Sequence, residues 1–367
     1  MTNRKDMIDE AMLRPGRLEL HIEIGLPDES GRGQILNIHT AELRKSNMLA
    51  PDVDLGVVAG LTKNYTGAEI EGLVKSACSH IFTRAVDIKD PTKPANFEGL
   101  QVLMEDFNRA LSETKPQFGV RENELEQCAT GGIISHGDEF AALSTTLSRL
   151  AAQTLTSERT PLMSVLLSGV SGAGKTALAV SMARASGISY IRRISGESLL
   201  SVPDKASAII KIFNDAYRSP ASLVILDDIE RIIEFVRVGP RFDNTVLQTL
   251  LVVAKALPPP GHRLMIIGTT SVPEHLEDLE ITSAFQLVLR VPVLSTAEQF
   301  KAVLASVESG MARAEQDAVS SHLAGKDIGI KKFLSVIEMA RQDQTDSGIS
   351  GPLVAETIMR SLVEWGL

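Results

Sequence analysis

Cysteine is scarce in this chain of 367 residues, which contains only Cys78 and Cys128. The two lie far apart in the sequence and do not have the spacing of a metal site. Two cysteines also cannot form the disulfide framework of a small secreted domain. The expected environment is therefore the reduced cytoplasm.

Long basic tracts and long apolar segments are missing as well. The net charge is −9, and nucleic acid is excluded as the main partner because phosphate backbones are bound by clustered basic residues. The longest apolar runs, such as LQTLLVVAKAL, fall short of the ~20 residues that cross a bilayer. The opening MTNRKDMIDE is too charged for a signal peptide. Contact with a membrane is therefore expected only through partner proteins.

The second half of the chain alternates between apolar strands and helices. The pattern predicts strands at 162–169, 189–195, 222–228 and 263–270, and helices at 137–155, 175–186, 205–217 and 243–256. Apolar strands separated by helices indicate an α/β fold with a doubly wound parallel sheet. From about residue 295 onward the pattern is helical to the end of the chain.

The N-terminal part has a different pattern. The alternation in LHIEI predicts a strand at 20–24, and Asp28 is expected to cap the helix that follows. The apolar spacing in 66–85 predicts an amphipathic helix opened by Thr66, and 105–114 predicts another helix.

An internal repeat relates the two parts. Residues 1–36 resemble 268–304, since each runs from a strand end through Thr, a short helix, a strand and proline into a helix. The second copy lies late in a complete α/β module, whereas the first begins the chain. Residues 1–112 are therefore expected to be the back end of a module whose front end is absent, followed by a polar linker at 113–132.

The stretch GVSGAGKT, from Gly169 to Thr176, fits the pattern G-x4-G-K-[ST] between a predicted strand and a predicted helix. Glycines allow successive backbone N–H groups to surround a phosphate, and the N-terminal end of the helix favours the same negative charge. Lys175 is expected to reach the β- and γ-phosphate oxygens, and Thr176 to ligate Mg²⁺. A chance glycine-rich turn is the plain alternative, but the strand–helix context favours an ATP site.

Two adjacent acids, Asp227 and Asp228, end the strand SLVILDD. Asp227 is expected to hold Mg²⁺ through water, although a simple helix cap is the alternative reading. Asp228 occupies the position of the carboxylate that polarises the attacking water, and Asp is one methylene shorter than Glu. Because a misplacement of about 1 Å can cost ~10²-fold in rate, Asp228 is expected to be a weakened catalytic base.

The repeat indicates two further weaknesses in the same site. Where the first copy has Asn3, the second has Ser271, which is too short to orient water as an amide would. Where the first copy has Arg14 and Arg17, the second has TSAFQ and no arginine. Arginines that reach a γ-phosphate contribute about 10³–10⁵ in rate. The sequence thus predicts a site that holds ATP and hydrolyses it slowly.

The chain resembles the AAA ATPase family, in its vesicle-fusing branch. The resemblance rests on TNRKDMIDEAMLRPGRLE, TGAEIEGLVKSA, DDIERIIEFVRVGPRF and LMIIGTTS. The first stretch alone would indicate only the family, whereas the third is more specific, because the related valosin-containing branch keeps D-E and arginines in both of its modules. The fold implied is a P-loop AAA module, a doubly wound parallel sheet plus a helical lid, preceded by the C-terminal part of another AAA module.

The resemblance also implies domain limits and residue roles. The first module would end at 112, and the second would comprise a nucleotide-binding part at 133–294 and the lid at 295–367. Asn3 resembles a polar sensor, and Arg14 and Arg17 resemble arginine fingers. The adenine pocket would be formed by Gly131, Gly132, Ile133, Ile134, Ser135 and His136. The phosphate loop would comprise Ser171, Gly172, Ala173, Gly174, Lys175, Thr176, Ala177 and Leu178.

Two cations outside the loop receive roles by the same resemblance. Lys331 resembles a lid residue that senses the γ-phosphate, and Arg263 resembles a cation that reaches the phosphates of a neighbouring subunit. The alternatives are plain surface charges for both. Residues 133–136 could likewise be ordinary core followed by a surface histidine.

The resemblance implies ATP and Mg²⁺ as cofactors and a homo-hexamer as the assembly. It further implies an α-SNAP adaptor, SNARE complexes as substrates, and a cytoplasmic location peripheral to Golgi and vesicle membranes through adaptors. The chain departs from the family pattern, because it has no adaptor-binding domain, no first P-loop and no aromatic pore loop. It is expected to be a fragment or a short isoform. The alternatives for function are an ATP-dependent oligomerisation scaffold without catalysis, or another AAA unfoldase.

Overall fold

The computed structural model describes most of the chain and divides it into two compact units, Met1–Gln117 and Phe118–Leu367. The described residues are 8–12, 14, 16–18, 20, 22, 24–85, 100–114, 116, 125, 128, 132–157, 159–188, 190–236, 241–307, 313–347 and 360. The division between the units falls inside the segment expected to be a linker, most of which lies outside the described residues.

The first unit is helical where it is described. Its helices are α1 (Glu29–His39), α2 (Ala41–Lys45), α3 (Leu55–Leu61), α4 (Gly67–Ala85) and α5 (Met104–Glu113), with a short 3₁₀ turn at Glu10–Met12. The predicted caps are confirmed. The Asp28 carboxylate accepts from the Gly31 N–H at 2.7 Å. The Thr66 hydroxyl accepts from the Glu69 N–H at 3.3 Å, while the Glu69 carboxylate accepts from the Thr66 N–H at 2.7 Å.

The core of this unit follows the predicted apolar stripe of α4. Ile70, Leu73 and Ala77 are fully buried and pack against Leu36 of α1 and Phe107 of α5. Burying a large apolar side chain stabilises a fold by about 1.5–3 kcal/mol. The stripe therefore accounts for the packing of these three helices.

The predicted strand at 20–24 is wrong at the residues that the structure describes. Leu20, Ile22 and Ile24 are not in a strand, and their side chains are 82%, 76% and 84% exposed. A strand needs a hydrogen-bonded neighbour, and among the described residues of this unit the β-type pairing is a single bridge between Leu49 and Val102. The alternation is present in the sequence, but the described part of the unit offers it no partner strand.

The second unit is built on a parallel sheet of five strands in the order β2-β3-β4-β1-β5. The strands are β1 (Leu162–Ser168), β2 (Tyr190–Ser195), β3 (Ala221–Asp227), β4 (Arg263–Thr270) and β5 (Leu287–Arg290). The four strands predicted from their apolar runs are confirmed to within a residue or so. Ser168 is paired with Thr270 of β4, so the ends of these strands that carry the candidate site lie side by side.

Helices cover both faces of this sheet. The helices of the α/β part are α6 (Asp138–Thr156), α7 (Lys175–Ala185), α8 (Gly196–Leu199), α9 (Lys205–Ala216), α10 (Ile229–Ile232), α11 (Asn244–Lys255), α12 (Pro273–Asp278) and α13 (Ile281–Ala284). Leu147 of α6 and Leu178 of α7 are buried in the core on one face. Phe213 of α9 and Leu250 of α11 are buried in the core on the other. The doubly wound α/β fold is therefore confirmed.

The C-terminal part forms a third core, which we call the helical lid: α14 (Ala297–Ser306), α15 (Arg313–Leu323) and α16 (Ile330–Ser347). Phe300 and Phe333 meet edge to face at a centroid distance of 5.2 Å, and Val303 and Ile337 are fully buried beside them. The predicted helical character after residue 295 is confirmed over the described residues. None of the helices in the described part of the chain has the length and apolar character needed to cross a membrane.

Candidate nucleotide-binding site

The glycine-rich loop runs from the end of β1 to the first residue of α7. Gly172 and Gly174 have φ angles of +80° and +89°, in the region where residues other than glycine are strained. This backbone turns the chain sharply so that α7, eleven residues long, begins at Lys175. The first N–H groups of a helix have no intrahelical acceptor, so the loop and the helix end together form a site for an anion such as a phosphate.

Lys175 lies inside this loop and is only 5% exposed. Its Nζ donates to the carbonyl oxygens of Gly169 and Val170, both at 2.9 Å, and to the hydroxyl of Ser271 at 3.0 Å. Burial lowers the pKa of Lys175. All three acceptors are neutral, so an anionic phosphate would compensate the buried charge better than they do.

Asp227, at the end of β3, is the centre of the hydrogen-bond network. Its Oδ1 accepts from the hydroxyls of Thr176 at 2.6 Å and Thr269 at 2.8 Å. Its Oδ2 accepts from Nε and Nη2 of Arg193 at 2.9 and 2.6 Å. The structure thus brings Thr176 and Asp227 together as predicted. Thr269 and Arg193 were not predicted, because they come from β4 and β2, on either side of β3.

Asp228 follows in a left-handed conformation, with φ at 51°, and leads into α10. Its backbone N–H donates to the Thr269 hydroxyl at 2.8 Å. Its carboxylate is about one-third exposed and lies 3.5 Å from Nε of Arg231. Burial, followed by the charges of Asp227 and Glu230, raises the pKa of Asp228. The side chain is therefore a carboxylate at the edge of the site, as a base acting on water would be.

Glu230 is a third residue that was not predicted from the sequence. Its Oε1 accepts from the backbone N–H of Ser271 at 2.9 Å, and its Oε2 is buried with no hydrogen-bond partner among the described residues. Glu230 thus fixes the loop after β4, in which the Ser271 hydroxyl meets Lys175. The available signal was an acid three residues after Asp227, a spacing that turns a side chain on a short helix back toward the strand end.

Replacing Glu230 with alanine should destabilise the chain by about 1.5–3 kcal/mol, the contribution of a hydrogen bond to a charged group, here the bond from the partly buried Ser271 N–H. Glu230→Gln keeps an acceptor oxygen and should lose much less. Urea unfolding of both variants measures the difference. Equal stability of Glu230→Ala and wild type would show that the bond to Ser271 contributes nothing to the loop.

The helical lid contacts the phosphate loop through its backbone. The Lys331 N–H donates to the Gly172 carbonyl at 3.0 Å. Gly329 lies so close that a Cβ there would meet the backbone of Gly172 at 3.1 Å. The Lys331 side chain is exposed beside the loop. The structure therefore places Lys331 next to the phosphate loop, as its predicted role requires.

The segment expected to hold adenine lies between the lid and the sheet. Ile133 packs on the core of the sheet and Ile134 on the core of the lid. His136 is 1% exposed, lies 4.3 Å from the Phe140 ring, and pairs its Nδ1 with the Ile134 carbonyl at 3.1 Å. Its Nε2 has no partner among the described residues. Gly132 and Ser135 are exposed, and Gly131 lies outside the described residues.

One predicted site residue of the second unit, Arg263, is not brought to this loop. Arg263 begins β4, at the opposite end of the sheet from the phosphate loop. Arg263 can therefore act only on a site other than the phosphate loop of its own unit. Arg14 and Arg17 lie in the first unit and are exposed, with Nη1 of Arg17 donating to the Ala11 carbonyl at 2.8 Å. Asn3 lies outside the described residues.

The oxygens present suit Mg²⁺. The Thr176 hydroxyl and Asp227 carboxylate are 2.6 Å apart, and Mg²⁺ is usually held by one or two such groups together with substrate phosphates. Among the described residues, no group of three or more His, Cys, Asp or Glu could hold an ion by itself. Bound there, Mg²⁺ would neutralise phosphate charge.

The chain is similar in sequence to known ATPases. Residues 165–293 match the model of the AAA family, described as the ATPase family associated with various cellular activities. The chain is 48% identical over 350 residues to a vesicle-fusing ATPase of Dictyostelium discoideum, covering 94% of this chain and 47% of that protein. It is 44% identical to a vesicle-fusing ATPase of Arabidopsis thaliana over 346 residues, 94% of this chain and 46% of the other.

A third relative is the vesicular-fusion protein sec18 of Schizosaccharomyces pombe, 44% identical over 352 residues, 94% of this chain and 44% of that protein. The chain thus spans about half the length of the curated relatives it matches. The matched residues contain the loop at 169–176 and both acids at the end of β3, Asp227 and Asp228. This chain therefore belongs to the AAA family of ATPases and is homologous to its vesicle-fusing members.

Proposed function

We propose that the second unit binds ATP with Mg²⁺, retains it, and hydrolyses it slowly. The observation that carries the proposal is the cluster at the end of the sheet, in which the buried Lys175 and the Thr176–Asp227 pair surround one phosphate-sized loop. Adenine is expected over Ile133 to His136, with Lys331 beside the γ-phosphate.

Slow hydrolysis follows from the groups that would act on water. Asp228 carries the shorter carboxylate, Ser271 presents only a hydroxyl, and Lys175 already uses that hydroxyl as an acceptor. The segment 282–286 contains no arginine. Each feature removes stabilisation of the transition state and leaves ground-state binding intact, so ATP is held more effectively than it is cleaved.

In the whole protein we propose a role in ATP-dependent disassembly of SNARE complexes during vesicle-mediated transport. The support is the similarity to relatives named vesicle-fusing ATPases. The proposed assembly is a homo-hexamer that recruits SNARE complexes through an α-SNAP adaptor and reaches membranes only through such partners. Asn3, Arg14 and Arg17 would serve the first module, and Arg263 the phosphates of a neighbouring subunit.

A second candidate function is an ATP-dependent scaffold that assembles rings without catalysis. The features that favour it are the same Asp228 and Ser271 that predict slow hydrolysis. The two functions differ in turnover. A scaffold needs no cleavage, whereas a slow ATPase releases ADP measurably over hours.

Mg-ATP is expected to shift the wild-type chain to a larger assembly, because a neighbour that contacts bound phosphate adds affinity only when ATP is present. Mass in solution by light scattering, with and without Mg-ATP, measures this. Arg263→Met should reduce the ATP-dependent shift, while Arg149→Met, a control on the outer helix α6, should not. An identical mass in both conditions would contradict the proposed assembly.

A further inference from the structure

Arg193 forms a charged pair with Asp227 that the proposed function does not use. It lies on β2, the edge strand next to β3, and places two N–H groups on the single oxygen Oδ2 of Asp227. The Arg193 side chain is 21% exposed and that of Asp227 is 5% exposed. A charge-assisted pair with this little exposure is stronger than one on the surface.

The hydrogen-bonding capacity of Asp227 is already used. An ionised carboxylate has about four lone-pair sites. In this structure Thr176 and Thr269 donate to Oδ1, and the two Arg193 nitrogens donate to Oδ2. The negative charge of Asp227 is compensated at the same time by the guanidinium.

Both facts bear on the metal. A carboxylate in this position would hold Mg²⁺ through water, and such a water needs a free lone pair. A second cation close to Arg193 would also be repelled, and the repulsion is large where water is largely excluded. Arg193 and Mg²⁺ are therefore competitors for one carboxylate.

We propose that Arg193 is a positioning residue that supplies a built-in positive charge at Asp227 and so makes ATP retention only weakly dependent on Mg²⁺. The inference rests on the proposed function and concerns regulation of the same site. It gives a physical reason for a site that holds ATP, because the charge near the phosphates is partly fixed in the protein.

Calorimetric titration of the full chain with ATP, in excess MgCl₂ or excess EDTA, tests the proposal. In the wild type, removing Mg²⁺ should weaken ATP binding less than about tenfold. In Arg193→Met, which removes the charge and keeps much of the volume, the loss on chelation should grow by on the order of tenfold or more. Arg193→Lys keeps the charge, so its loss of ATP affinity on chelation should be closer to that of the wild type than that of Arg193→Met is.

Arg192→Met is the matched control, because Arg192 is the preceding residue of β2 and its side chain points to the other face of the sheet. The loss of ATP affinity on removal of Mg²⁺ should be the same in Arg192→Met as in the wild type. Paramagnetic resonance of Mn²⁺ added to the ATP complex gives a readout of the metal itself. Arg193→Met should bind Mn²⁺ more tightly than the wild type.

These titrations distinguish a failure of the proposed ATP binding from a failure of the role proposed for Arg193. No ATP binding by the wild type in either condition would overturn the proposed function. ATP binding whose Mg²⁺ dependence is the same in wild type and Arg193→Met would overturn the role of Arg193 alone. If circular dichroism shows that Arg193→Met does not fold, Arg193→Gln, which keeps a donor for Oδ2 without the charge, decides by the same criteria.

Discussion

Replacing Lys175 with alanine should abolish ATP retention. Its Nζ is buried in the loop where a phosphate would lie and donates to the carbonyl oxygens of Gly169 and Val170. At a concentration of one hundred times Kd, ATP stabilises a native state by about 2.7 kcal/mol. For a unit of this size that raises Tm by about 5–10 °C. The wild type should show this shift, and Lys175→Ala should show none.

The shift caused by ATP, and not the Tm itself, is the quantity to compare, because removing Lys175 also leaves two loop carbonyls without a donor. Thermal melting with and without Mg-ATP measures it. Lys332→Ala is the control, since Lys332 is an exposed lysine at the start of α16 and should keep the full shift. An unchanged ATP shift in Lys175→Ala would show that the loop is not the phosphate site.

Lengthening Asp228 to glutamate should raise ATP hydrolysis only slightly, by less than about tenfold. The longer side chain restores reach toward water, but Ser271 still lacks an amide and the transition-state charge still lacks an arginine. Groups that act as a unit are strongly non-additive. The triple variant Asp228→Glu, Ser271→Asn, Ser283→Arg should therefore exceed the product of the three single effects. Ser283 is exposed and is the repeat counterpart of Arg14.

Steady-state phosphate release measures these rates, and light scattering shows whether assembly persists. ATP-dependent assembly should be unchanged in Asp228→Glu, because holding depends on Lys175, Thr176 and Asp227. A fully active enzyme produced by Asp228→Glu alone would contradict the account, since it would leave no role for the other two differences.

Local patterns predicted most of the fold. The strands β1, β3 and β4 are mostly apolar, and parallel strands covered on both faces have that composition. The helix from Gly67 was predicted from its stripe of apolar residues and from the N-cap at Thr66. Both features involve residues that are close in sequence. The phosphate loop was predictable for the same reason, because all its essential residues lie within eight positions.

What the sequence could not show depends on neighbours distant in the chain. Leu20, Ile22 and Ile24 alternate as a strand does, but alternation does not supply a partner strand. Arg193 meets Asp227 only because β2 and β3 are adjacent in register. Glu230 meets Ser271 across about forty residues. Contacts of this kind depend on the order of the strands in the sheet, and the pattern of a single segment does not determine that order.

ATP retention with slow hydrolysis is tested most directly on the purified wild-type chain, by following bound ATP and released phosphate together after excess nucleotide is removed. We expect ATP to stay bound and to be converted much more slowly than about 1 s⁻¹, the low end for ordinary enzymes. Sustained turnover at about 1 s⁻¹ or faster would contradict this expectation, because Asp228 and Ser271 would then suffice for catalysis.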